Sequence, residues 1–240
     1  MNKTTNYIRS CIYLIFLIIT VIPYSLISLS TILLSLNTRY KIISFWPKIA
    51  LWGLKTICLV KWDIKGFDNL PKKPIIIFSN HQSAWETLFF ISQLPKKTCF
   101  VYKKELHNIP FFGWGLYLLN MIAIDRSNGK NAIKKILEIG RKKIKEDYYI
   151  VVFPEGTRST PKNINRFKIG GALFAANSKI NIIPIAHNAG NFWQKDSFII
   201  KPGTIQMSIG PIINTEHLKS NEINNIAFNW IKKELEKLNS

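Results

Sequence analysis

From Ser10 to Thr38 the chain carries no charged residue. Ile, Leu, Val, Phe and Tyr dominate this run, which exceeds the roughly 20 residues a helix needs to cross a bilayer. Lys3 and Arg9 give it a basic start like that of a signal peptide. The apolar stretch is too long for one, however, and no small-residue cleavage site precedes Arg39. The run therefore reads as a membrane anchor. Pro23 lies within it, so one kinked span and a hairpin dipping into one leaflet both fit, and basic residues at both ends do not choose between them. Residues 42–60 extend the pattern, with Lys48 and Lys55 on one helical face among Trp46, Ile49, Trp52 and Leu59. Trp with Lys suits a helix lying in the interface; a core helix with two snorkelling lysines is the alternative. The expected division is an anchor over 1–60 and a globular domain over 61–240.

In that domain, short apolar runs alternate with helical patterns. Strands are expected over Val60–Gly66, Ile75–Ser79, Thr98–Tyr102, Met121–Ile124, Tyr148–Phe153, Ile182–Ala186 and Ile205–Ile209. Between Asn131 and Lys145, Ile133, Ile136, Leu137, Gly140 and Ile144 share one helical face, with lysines opposite. Ile223, Ile226, Ala227, Trp230, Ile231 and Leu235 repeat the pattern near the carboxyl terminus. The fold class this implies is α/β, with a mainly parallel central sheet of about seven strands flanked by helices.

Lys and Arg number 33 against 14 Asp and Glu, a net +19. An excess of that size calls for an anionic partner: nucleic acid, a bilayer surface or a phosphorylated substrate. No helix-turn-helix or RNA-binding signature accompanies the charge, so a nucleic-acid partner is not expected. Cys11, Cys58 and Cys99 are scattered in apolar contexts, with neither metal-ligand spacing nor a disulfide framework. A reducing compartment and no metal site are the expectations.

Asn80-His81-Gln82-Ser83-Ala84-Trp85-Glu86 follows the second expected strand and leads into a helical pattern. His81 thus falls at a strand's carboxyl end, where open α/β sheets bind ligands. On one continuous helix His81 and Glu86 would point about 140° apart. They meet only if His81 is in the loop and Glu86 in the first turn, where a carboxylate can orient an imidazole as a general base. A capping box, with Ser83 as N-cap and Glu86 reaching back, fits the same letters.

Other strand ends favour a site. Phe153-Pro154-Glu155-Gly156-Thr157-Arg158-Ser159 follows the fifth strand; Gly156 permits close backbone approach, Thr157 adds a hydroxyl and Arg158 a fork suited to phosphate. Lys103-Lys104-Glu105-Leu106 follows the third strand, and Asp125-Arg126 the fourth. If the sheet is parallel, four strand ends bring a base and cations into one crevice.

With these segments in hand, the chain resembles the 1-acylglycerol-3-phosphate acyltransferase family of glycerolipid synthesis. Asn80–Glu86 is similar to the family's first motif, Lys103–Leu106 with Phe112-Gly113 to the second, Phe153–Ser159 to the third and Ile183-Pro184-Ile185 to the fourth. The matches run in order between Ile64 and Gly210. One departure is Glu86, where the family usually has Asp, and that form widens the range of acceptors.

The resemblance implies acyl transfer from acyl-CoA or acyl carrier protein to the sn-2 hydroxyl of a lysophosphatidate, with the acyl thioester as co-substrate and no cofactor. His81 is then the base and Glu86 its partner, while Lys103, Lys104, Arg126, Glu155, Gly156, Thr157 and Arg158 form the substrate site. It implies a place on the cytoplasmic face of the inner membrane. Acyl transfer to another lysophospholipid, or a membrane lipid hydrolase using the same pair on water, are the alternatives.

Overall fold

The computed structural model describes residues 2–125, 129–161 and 163–239. It opens with α1 (Lys3–Ser30), which runs unbroken through Pro23. The faces of α1 are the reverse of those expected on a protein surrounded by water. Ser10, Tyr13, Ser25 and Ser28 are buried against the protein, while Ile8, Ile12, Ile15, Ile19, Leu26 and Ile27 point outward. The buried hydroxyls are satisfied within the chain: Ser28 Oγ donates to Tyr24 O at 2.8 Å and Tyr13 Oη to Ala50 O at 3.1 Å.

Two shorter helices return along it, α2 (Leu36–Ile43) and α3 (Phe45–Ile57). Arg39 closes the bend by donating to the carbonyls of Thr31, Ile32 and Leu34. Pro47 falls in the first turn of α3, where its missing N–H costs nothing. At Gly53 the absent side chain leaves room for the Phe16 ring, since a Cβ there would lie 2.3 Å from it. One face of α3, with Ala50, Leu51 and Leu54, is buried; Lys48, Trp52 and Lys55 are on the exposed face.

The sheet follows: β1 (Val60–Lys65), β2 (Ile76–Ser79), β3 (Thr98–Lys103), β4 (Ile122–Ile124), β5 (Tyr149–Val152), β6 (Ile182–His187) and β7 (Gly203–Ile209). Their order is β1-β7-β6-β2-β5-β3-β4. Every adjacent pair is parallel except β6–β7. The central strands β2, β5 and β6 are buried at every residue, as strands covered on both faces must be.

The remaining helices are α4 (Trp85–Gln93), α5 (Phe112–Leu118), α6 (Gly129–Lys145), α7 (Gly170–Ser178) and α8 (Ser220–Asn239). Trp62 of β1 packs on Trp85 and Phe89 of α4. Ser208, in register with Lys65 and so of the other parity, bonds Glu234 of α8. The two helices therefore cover opposite faces. The α/β class and the seven mostly parallel strands expected from the sequence are those observed. The two β-strands that run against the rest, β7 and β1, sit together at one edge.

Candidate active site

Strands β2 to β6 all present their carboxyl ends at one edge of the sheet, and a ligand crevice belongs there. After β2 the chain passes through a loop at 80–84 before α4 begins at Trp85. His81 lies in that loop and Glu86 in the first turn, and His81 Nδ1 stands 2.7 Å from Glu86 Oε1. An ionised carboxylate can only accept, so Nδ1 carries the proton and Nε2 is the free acceptor. Nε2 has no hydrogen-bond partner among the described residues, and the side chain lines a cavity of about 700 Å³.

Glu86 Oε1 also accepts the backbone N–H groups of Gln82 and Ser83, each at 3.0 Å. The helix cap and the imidazole partner are thus one oxygen in one geometry. The carboxyl is fully buried. Burial alone would raise its pKa, but the imidazoles of His187 and His81 and the hydrogen bonds from His81 and Ser83 outweigh it and hold the group below the ordinary carboxylate range.

The segment after β5 grips His81 on three sides. The His81 N–H donates to Glu155 Oε1 at 2.9 Å, its carbonyl accepts from Ser159 N at 2.7 Å, and its ring stacks on Phe153 with centroids 4.1 Å apart. The other oxygen of Glu155 accepts Asn165 N–H at 2.8 Å. Burial pushes the Glu155 pKa up, against the hydrogen bonds from His81, Asn165 and Ser159. Glu155 is not among the residues on the cavity wall. Through these bonds it ties the His81 loop to the segment around Asn165.

Gly156, Thr157 and Arg158 do line the cavity. Gly156 has φ +75°, in the left-handed region that favours glycine, and a Cβ there would lie 3.0 Å from the Lys168 side chain. Arg158 has no hydrogen-bond or ion-pair partner among the described residues. Lys103, the last residue of β3, is also on the wall. Lys104 is not: its ammonium is exposed and pairs with Asp125 at 2.5 Å. The geometry therefore brings Lys103 to the site and leaves Lys104 outside it, while Arg126 lies outside the described residues.

Several site residues were not expected from the sequence. The Asn80 amide donates to His187 O at 2.9 Å and accepts from His187 N at 3.0 Å, tying the end of β2 to the end of β6. Trp193 and Lys195, beyond β6, reach the cavity wall, and Leu17, Val21 and Tyr24 of α1 form part of the same wall. His187 follows the fourth motif at a strand end, so the reasoning applied to His81 would have found it. Lys195 and the α1 residues carry no local signal.

An apolar cavity with an oriented imidazole, flanked by an arginine and a lysine at neighbouring strand ends, is a place for an amphiphilic anion. A family model described as Acyltransferase matches residues 61–188, more than half of the chain, and the chain belongs to that acyltransferase family.

Among its relatives is a 1-acyl-sn-glycerol-3-phosphate acyltransferase of Pseudomonas aeruginosa, 40% identical over 185 residues, covering 77% of this chain and 72% of that one. A protein of the same name from Limnanthes alba is 34% identical over 155 residues, covering 64% of this chain and 55% of that one. The crystal structure of the 1-acyl-sn-glycerophosphate acyltransferase PlsC from Thermotoga maritima is similar with a TM-score of 0.83, over 100% of this chain and 98% of that one. At 21% identity that likeness speaks to the fold.

Proposed function

We propose that this chain is a membrane-bound acyltransferase that moves a fatty acyl group from acyl-CoA or acyl carrier protein to the sn-2 hydroxyl of 1-acylglycerol-3-phosphate. The observation that carries the reading is that one cavity wall holds His81, Arg158 and Lys103 together with apolar side chains of α1, α4 and β3. Acyl chain, hydroxyl and phosphate each find a complementary group within it.

In the reaction the hydroxyl oxygen attacks the thioester carbonyl carbon. A C–O bond forms, the C–S bond breaks, and the hydroxyl proton passes to His81 Nε2 and on to the departing thiolate. Glu86 supports the transient imidazolium from the opposite nitrogen. The thioester is already activated, so the step calls on no cofactor.

Arg158 and Lys103 would hold the phosphate. Arg158→Ala is expected to raise KM for lysophosphatidate by about 10- to 150-fold, the equivalent of roughly 1.5–3 kcal/mol for a charge-assisted contact. Steady-state kinetics beside a melting curve would check this; an unchanged KM in a folded variant would move the phosphate elsewhere.

The outward isoleucines of α1 support the membrane placement. Its inner face is packed on the protein from Ser10, which accepts from Ile200 N, to Ser28 on the cavity wall. A helix held along its length in this way lies against one leaflet, with its apolar face in the acyl chains. The net charge of +19 adds attraction to anionic headgroups. The proposal puts the domain on the cytoplasmic face of the inner membrane, where both donors are found and where the free thiols of Cys11, Cys58 and Cys99 stay reduced. High salt or carbonate is expected to leave the full-length protein in the membrane pellet, because apolar insertion is not screened by ions. Its appearance in the supernatant would refute the placement.

Purified enzyme given labelled acyl-CoA and a panel of lysophospholipids tests the substrate. Label should enter phosphatidate preferentially; equal labelling of neutral lysolipids would remove the phosphate from the recognition.

A further inference from the structure

Glu86 has an oxygen that the pairing with His81 leaves unused. Oε2 is buried and has no hydrogen-bond partner among the described residues, a state that native proteins rarely leave without a reason. The group facing it is the imidazole of His187, fully buried at the carboxyl end of β6, with Nε2 4.0 Å away. That is too long for a hydrogen bond, yet near enough for an N–H dipole to act on the carboxylate.

The tautomer of His187 is fixed by its neighbours. Nε2 faces the carbonyl of Asn80 at 3.0 Å and must donate; Nδ1 faces the N–H of Ala189 at 3.4 Å and must accept. A neutral ring thus turns its N–H edge toward Asn80 O and Glu86 Oε2 together. Its side packs edge-on against Trp85, with centroids 5.9 Å apart. Asn80 precedes His81 and Trp85 precedes Glu86, so one buried ring touches the neighbour of each member of the pair. His187 is not among the residues that line the cavity.

We propose that His187 is a positioning residue for the His81–Glu86 pair. It sets the spacing between the loop that carries the imidazole and the helical turn that carries the carboxylate, and it holds the positive N–H edge of its ring within 4.0 Å of Oε2. This role rests on the reading of His81 and Glu86 as a general base and its partner.

The test compares His187→Leu, which removes the donor, with His187→Gln, which restores one, and with His81→Ala. In His187→Leu, kcat should fall about 10- to 100-fold per folded molecule, as for a misplaced reacting group. KM for acyl-CoA and lysophosphatidate should stay within about twofold, since no substrate contact is lost. His187→Gln should recover most of kcat. A lower melting temperature with wild-type kcat in His187→Leu would overturn the proposal and leave a packing residue.

Should His187→Leu fail to fold, ¹⁵N-histidine NMR of the wild-type enzyme in detergent micelles decides instead. The His187 Nε2–H resonance should move in Glu86→Gln, and an unmoved resonance would overturn the coupling. Loss of activity in His81→Ala together with full kcat in His187→Leu would overturn this role alone. Full activity in His81→Ala would overturn the base and this role with it.

Discussion

His81→Ala is expected to lower kcat by about 10²–10⁴, the range for removal of a positioned general base, while the enzyme still folds and binds lysolipid. An alkyl hydroxyl does not ionise at neutral pH, so a group must take its proton as the C–O bond forms. His81 Nε2 is the acceptor that faces the cavity, because Nδ1 is committed to Glu86 at 2.7 Å. The fold should survive because the bonds of the His81 backbone to Glu155 and Ser159, and those of Glu86 to the Gln82 and Ser83 N–H groups, remain when the ring is removed. Turnover under saturating substrates, with binding followed separately, checks the split. Wild-type kcat in a folded His81→Ala enzyme would leave the site without its base.

Glu86→Gln should cost on the order of 10²–10⁴ in kcat as well, since it disables the partner that makes His81 an effective base. Oε1 accepts from His81, Gln82 and Ser83 at once. The Gln carbonyl can keep the two backbone bonds and so preserve the helix start. What it lacks is the charge that supports an imidazolium. A structural role alone would leave this variant near wild type, so the substitution separates charge from cap. Glu86→Asp keeps the charge and should retain more activity than Glu86→Gln. A Gln variant with full kcat would reduce Glu86 to a helix cap.

The choice between capping residue and catalytic partner could not be made from the letters Ser-Ala-Trp-Glu, since it depends on where the loop before them lies. That position is set by Phe153, Glu155 and Ser159 in the segment after β5 and by the Asn80 amide, which clamps the end of β6. The longer Glu side chain, a departure from the family's usual Asp, still reaches His81.

Strand positions were legible because β2, β5 and β6 are short apolar runs bounded by turns, and local pattern suffices for those. The reversal between β6 and β7 was not legible, because strand direction depends on how the 188–202 segment returns, which no periodicity records. Lys103 and Lys104 read alike as cations after a strand; Lys103 ends β3 and meets the cavity, while Lys104 begins the turn beyond it and pairs with Asp125. Glu155 looked like part of a substrate loop but turns inward, because the His81 and Asn165 N–H groups need an acceptor there. The wall supplied by α1 was out of reach for the same physical reason. Its uncharged run marked it for lipid, and only the tertiary packing of Tyr13, Phe16 and Ser28 shows that its other face closes the cavity.

The most direct test is a paired product assay on the purified enzyme in lipid vesicles. It counts free thiol released from acyl-CoA and phosphatidate formed from lysophosphatidate, in wild type and His81→Ala. In wild type the two should rise together, one thiol for each phosphatidate; thiol release should nearly stop without the lysolipid, and both should vanish in His81→Ala. Thiol release that continues without acceptor, yielding free fatty acid, would show a base that activates water and contradict acyl transfer as the reaction of this site.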